Sequence, residues 1–240
     1  MAAKKILFLD TEPWLFEAYF EKNEALNDEN GKPRFEADVR EGTASVCDAH
    51  LQQYAAIVTT DGYLAAPLGL EENYTCDDLP NAKRFLSRLA AYAEAGGLVV
   101  IFASEGVFEV PRLLGPHFGT EWVFAAYSAE KFALTEAGER MFSGRVLQEA
   151  TPCYHEKHNM LSTPEGEGMF HIKHFEKDFD VEFEREEDPN WTLPRPTKRT
   201  PVAVHRCGNN LGAIAYFSCS NWDTVLFGMF AELCTRKALM

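Results

Sequence analysis

Residues 79–103 constrain this chain more than any other stretch. Phe85, Leu86, Leu89 and Tyr92 recur at helical spacing, Gly96-Gly97 stop the run, and Leu98-Val99-Val100-Ile101-Phe102-Ala103 follows without one polar residue. An amphipathic helix that ends on glycine and leads into a fully apolar run is the second half of a β-α-β unit. A strand apolar on both faces has to be covered on both faces, the condition of a parallel sheet held between helices. Two more segments share the pattern. Lys4 to Asp10 is a short apolar run ending in an acid, and Tyr54-Ala55-Ala56-Ile57-Val58-Thr59-Thr60 runs into Asp61-Gly62. Thr11 and Pro13 mark the start of a helix over residues 14–26. A second strand is expected within residues 39–47, and a short helix near 107–114. Strands and helices alternating at this spacing imply right-handed crossovers and an α/β fold with a mainly parallel, doubly wound sheet.

The middle of the chain follows another rule. Residues 122–127, 131–134, 169–175 and 180–183 are short and strand-like, and a proline-rich stretch over 189–201 closes the region. A β-rich insertion at about 118–200, within a single domain spanning residues 1–240, is the expected organisation. Residues 202–206 and 213–218 then form a hairpin around Cys207-Gly208-Asn209-Asn210, and a helix over 222–237, capped by Asn221, closes the chain.

Composition narrows the function classes. At 46% hydrophobic residues the chain is globular. Its net charge of −14 opposes binding to a nucleic-acid backbone or an anionic membrane surface. No apolar run approaches the ~20 residues of a membrane span, and Ile6-Leu7-Phe8-Leu9 is too short for a signal sequence. The six cysteines show no C-x-x-C spacing and are expected to be reduced thiols of a cytoplasmic protein. The sequons at Asn73 and Asn190 are then expected to be unused.

In open α/β sheets ligands bind beyond the carboxyl ends of the strands. That rule selects Asp10-Thr11-Glu12, Thr60-Asp61-Gly62 and Ser104-Glu105-Gly106. Ser104 follows a buried strand directly and precedes a helix. A nucleophile elbow needs that arrangement, in which a tight turn exposes the hydroxyl and the next backbone N–H groups stabilise an oxyanion. Phe102-Ala103-Ser104-Glu105-Gly106 keeps the second glycine of G-x-S-x-G and lacks the first. Ser104 as the N-cap of the following helix is the simpler alternative. A serine nucleophile needs a base, and His205, His117, Glu12 and Glu105 are the candidates. Asp10, Thr60, Asp61, Gly62, Gly106 and His117 are expected to line the binding surface for a small molecule. A separate reading takes His155, His158, His171 and His174 as two H-x-x-H pairs that hold zinc; the alternative is surface histidines and no metal. No G-x-G-x-x-G follows the first strand and no P-loop occurs, so neither a dinucleotide nor a nucleotide cofactor is expected. Trp14, Phe16, Phe20, Trp122, Phe124 and Trp222 give a third reading, a non-catalytic protein that binds a small molecule or assembles into a homo-oligomer.

The double glycine, apolar strand and elbow over residues 96–104, the stretch Leu113-Leu114-Gly115-Pro116-His117-Phe118, and the late segments Pro201-Val202-Ala203-Val204 and Gly212-Ala213-Ile214-Ala215-Tyr216-Phe217 together resemble a known family. The chain is similar there to the ThuA-like branch of the class I glutamine amidotransferase-like superfamily, over about half its length. The resemblance implies a flavodoxin-like three-layer sandwich with its reactive residue at position 104. Glutaminases of that superfamily carry Cys at the elbow and a late His with an acid two residues on. Here Ser104 stands at the elbow and His205 is followed by Arg206 and Cys207, so that triad is absent. The activity expected is of hydrolase or lyase type.

Overall fold

The computed structural model describes residues 4–9, 27, 30–40, 50–65, 79–103, 110–142, 154–177, 199–209, 212–217 and 224–235. Its strands in chain order are β1 (Lys4–Leu9), β2 (Phe35–Arg40), β3 (Ala56–Thr60), β4 (Leu98–Phe102), β5 (Val123–Leu134), β6 (Tyr154–Ser162), β7 (Phe170–Lys177), β8 (Arg199–Thr200), β9 (Val202–Cys207) and β10 (Gly212–Phe217). The helices are α1 (Asp61–Ala65), α2 (Leu79–Glu94), α3 (Val110–Phe118), α4 (Glu136–Met141) and α5 (Thr224–Thr235).

Six strands form a sheet in the order β2-β1-β3-β4-β10-β9. All neighbours are parallel except β10 and β9, which pair as the antiparallel hairpin expected from the sequence. The apolar runs become its central strands because each buries both faces. Ala56, Val58, Leu98, Val100 and Phe102 face one core, while Ile57, Val99 and Ile101 face the other. The first core is closed by Met229, Phe230 and Leu233 of α5 and by Phe132, Leu134 and Phe170 of the second sheet. Phe85, Leu86 and Leu89 of α2, with Val110, Leu114 and Phe118 of α3, close the second. The architecture is mixed α/β around a mainly parallel sheet.

Among the parallel strands β1 to β4 the direction of travel across the sheet reverses once, and the β9–β10 hairpin reverses it again. From β1 the chain moves outward to β2, then returns past β1 to β3 and proceeds to β4. The crevice beyond the carboxyl ends of β1 and β3 is therefore the topological switch point. The four remaining strands form an antiparallel sheet in the order β7-β5-β6-β8. The pieces expected at 122–127 and 131–134 are one twelve-residue strand, β5. Neither sheet closes into a barrel among the described residues. None of the described helices is long and apolar enough to cross a membrane.

Two local features fix the layers. Gly96, at φ +100, ends α2: its N–H donates to Ala93 O at 3.0 Å, and the Gly97 N–H donates to Tyr92 O at 3.0 Å. This left-handed cap turns the chain straight into β4. Thr135 caps α4, its Oγ1 accepting from Gly138 N at 3.1 Å and donating to Gly168 O at 2.7 Å. One hydroxyl thus seats α4 on the turn that precedes β7.

Candidate functional site

Thr60, at the end of β3, pairs with Phe102, at the end of β4, so the two carboxyl ends stand level beside the switch point. Ala103 continues β4 by donating its N–H to Phe217 O at 2.9 Å, and Ser104 follows it in sequence. At β3 there is no loop: α1 begins at once with Asp61. Asp61 is fully buried, and its Oδ1 accepts the Gly62 N–H at 2.9 Å. Burial pushes the Tyr216 phenol well above its ordinary pKa, and the charge of Asp61 pushes it further. The sequence nominated Asp61 as a residue that touches substrate. The structure puts its carboxylate beneath the surface instead, where it shapes the turn from β3 into α1. Next to it, Thr59 Oγ1 is buried with no hydrogen-bond partner among the described residues. A buried hydroxyl without a partner is uncommon and needs an explanation. Asp10, Glu12, Ser104, Glu105 and Gly106 lie outside the described residues.

The histidines named as bases belong to the other end of the sheet. His205 pairs with Ile214, and Ile214 with Val99, near the start of β4. From Val99 to Phe102, at the carboxyl end of β4, the chain advances by three residues, roughly 10 Å in an extended strand. His117 sits in the last turn of α3, the end of which packs near His205. The fold therefore brings His205 and His117 toward each other and not to the rim that holds Thr60, Asp61 and Gly62.

At His205 the structure shows a cluster that the sequence did not reveal. His205 Nδ1 lies 2.8 Å from Glu167 Oε1, and Trp122 donates its Nε1–H to Glu167 Oε2 at 2.6 Å. Trp122 is buried and meets His205 and Tyr216 edge-on, at ring separations of 6.5 and 6.4 Å. The hydrogen bond to Glu167 raises the pKa of His205; burial opposes this, while the Glu167 charge and the Phe118 backbone reinforce it. His205 Nδ1 thus faces a carboxylate, and Nε2 lies beside the backbone at Phe118–Gly119, 3.9 Å from where a Gly119 side chain would begin. The contact braces β9 against the turn that carries Glu167. Glu167 escaped notice because it lies in a loop segment, Pro164-Glu165-Gly166-Glu167-Gly168, 38 residues from its partner.

The zinc reading concerns His155, His158, His171 and His174, of which the side chain of His171 alone is among the described residues. Among the described residues no three metal-binding side chains come together. His171 is exposed on β7, and β-ladder register sets His155 and His174 opposite Lys131 from its two sides. The side chains of His155, His158 and His174 lie outside the described residues.

No protein-family model matches the chain, and no curated protein matches it. Solved structures do. A cold-adapted β-galactosidase from Rahnella sp. R3 is 13% identical, with a TM-score of 0.47 over 96% of this chain and 30% of that one. A β-galactosidase from Bacillus circulans sp. alkalophilus is 12% identical, with a TM-score of 0.46 over 97% of this chain and 30% of that one. Gan42B, a GH42 β-galactosidase, is 10% identical, with a TM-score of 0.48 over 95% of this chain and 29% of that one. The chain thus spans less than a third of the length of these proteins. These findings correct the resemblance drawn from the sequence: the similar structures are glycoside hydrolases and not amidotransferase-like proteins, so the ThuA-like and flavodoxin-like labels are withdrawn. The segments that suggested them encode a helix-glycine-strand unit and a β-hairpin, local grammar that many α/β sheets share and that names no family. What stands is a mixed α/β fold around a mainly parallel six-stranded sheet.

Proposed function

We propose that the chain is an enzyme of hydrolase or lyase type that acts on a small molecule over the carboxyl ends of β1, β3 and β4. The observation that carries this reading is the switch point itself, with the Thr59 hydroxyl, which has no hydrogen-bond partner among the described residues, buried at its edge. In the hydrolase form, Ser104 Oγ attacks the substrate's acyl carbon, the leaving group departs with a proton, and water releases the acyl group. Glu12 and Glu105 serve as proton acceptors in this scheme, and His205 takes no part because it stands at the far end of the strands. Asp61 is a positioning residue that holds the turn at Gly62.

The test is turnover of a panel of p-nitrophenyl esters and glycosides by the parent chain and by Ser104→Ala. The reading expects at least one substrate to be cleaved and Ser104→Ala to lower kcat by about 10²-fold or more.

A second reading is a non-catalytic protein that binds a small molecule on the same scaffold. It is favoured by one observation: the histidine nominated as base is committed to Glu167 and Phe118. Saturable binding with no turnover of any panel member, unchanged in Ser104→Ala, is its signature.

A further inference from the structure

A cleft of about 550 Å³ opens between α4, the turn at residues 165–167 and the edge strand β9, away from the rim described above. Its size suits a small organic ligand. Its wall is prearranged. Glu167 holds His205 through Oε1 and Trp122 through Oε2, so its carboxylate is fixed in place in the lining. The polar groups left over are Arg206, Arg140 and Glu165. Arg206 makes no hydrogen bond or ion pair among the described residues. Arg140 shares one N–H with Glu136 at 3.3 Å, an exposed pair of small worth. The lining therefore carries two guanidinium groups and two carboxylates, one of which, Glu167, is already engaged by His205 and Trp122, in a chain whose net charge is −14. Met141, Ala137 and Val204 supply an apolar side.

The backbone adds a donor. Along the outer edge of β9, Met169 N–H donates to Val202 O and Val204 N–H donates to Glu167 O, both at 2.9 Å. Alternation along an antiparallel strand turns the main chain of Arg206 to that same edge, one step past the last of these bonds. Arg206 thus brings a backbone N–H to this edge and a side chain to the lining of the cleft.

We propose that this cleft binds a small carboxylate-bearing molecule, its two oxygens taken by the Arg206 side chain and backbone N–H and its apolar part lying on Met141 and Val204. Planar two-oxygen recognition is what the guanidinium fork favours. The assignment is independent of the function proposed for the rim.

Titration of the full chain with hexanoate, hexanol and inorganic phosphate, followed by calorimetry and by the amide resonance of Arg206, tests it. Hexanoate is expected to bind and to shift that resonance, with neither effect from hexanol. Arg206→Gln is expected to weaken hexanoate at least tenfold with an unchanged melting temperature, and Ser104→Ala to leave it unchanged. Equal binding of hexanol, phosphate binding as tight as hexanoate, no binding of hexanoate at millimolar concentration, or full affinity in Arg206→Gln would each overturn the proposal.

Discussion

Glu167 shows how one side chain ties distant parts of the chain together, and its consequence is measurable. Its hydrogen bond raises the pKa of His205 above the ~6.5 of an unfolded histidine. A raised folded-state pKa adds stability that is fully present below about pH 6.5 and is lost as pH rises through the folded value. Urea midpoints measured across that window should fall with rising pH in the parent protein. In Glu167→Gln, which keeps the shape and removes the charge, the fall should be much smaller; an unchanged profile would remove the brace from the account. Thr59 gives the complementary case. Replacing it with valine deletes a buried hydroxyl that has no partner among the described residues, so stability should hold or rise by up to about 1 kcal/mol. If the hydroxyl serves a ligand at the rim, turnover or binding should nonetheless drop in the same variant. At this scale sequence reading found residues without their roles. His205 stood out because histidine is rare in an apolar strand, but a base and a brace look alike until the partner is known. The partner came from a loop with no pattern to mark it.

Elements were legible in proportion to their burial. The runs that became β1, β3 and β4 could be read directly, since parallel strands covered on both faces leave an unbroken apolar signature. Strand β2 was expected at 39–47 and stands at Phe35–Arg40, because an edge strand with mostly exposed positions carries almost no apolar signal. Strand β6 was overlooked for a similar reason: Tyr154-His155-Glu156-Lys157-His158 is polar enough to pass for a ligand motif. The hairpin of β9 and β10 was legible in its turn and also packs its backbone closely on α2 at Gly212. A Cβ at Gly212 would lie 2.1 Å from Ala93 O and 2.5 Å from Gly97 O, both backbone atoms that cannot step aside alone. Gly212→Ala should therefore force α2 and β10 apart and cost about 2–4 kcal/mol, visible as a lower urea midpoint. A change below about 0.5 kcal/mol would mean that the helix and strand are not held this closely.

Across the whole molecule, the two proposed sites lie at opposite ends of the sheet. At the carboxyl ends of β1, β3 and β4 the switch point assembles Thr59, Thr60, Asp61 and the approach to Ser104. At the other end of β4, His205, Glu167 and Trp122 brace β9 against the turn before β7, beside a cleft lined by two arginines. Sequence reasoning nominated the first end, because a rule about parallel strands needs only the strands. It could not locate the second, which is made by an antiparallel edge, a short helix and a loop that meet only in three dimensions. The two ends also separate the predictions, since Arg206→Gln should spare the rim and Ser104→Ala should spare the cleft. The central claim is that chemistry on a small molecule takes place at the rim through Ser104. Its most direct measurement is turnover of the p-nitrophenyl ester and glycoside panel by the parent chain and Ser104→Ala, both checked for the same melting temperature. The account predicts cleavage of at least one substrate and a loss of about 10²-fold or more in the variant. Equal rates in the two proteins, or no cleavage by either, would contradict it.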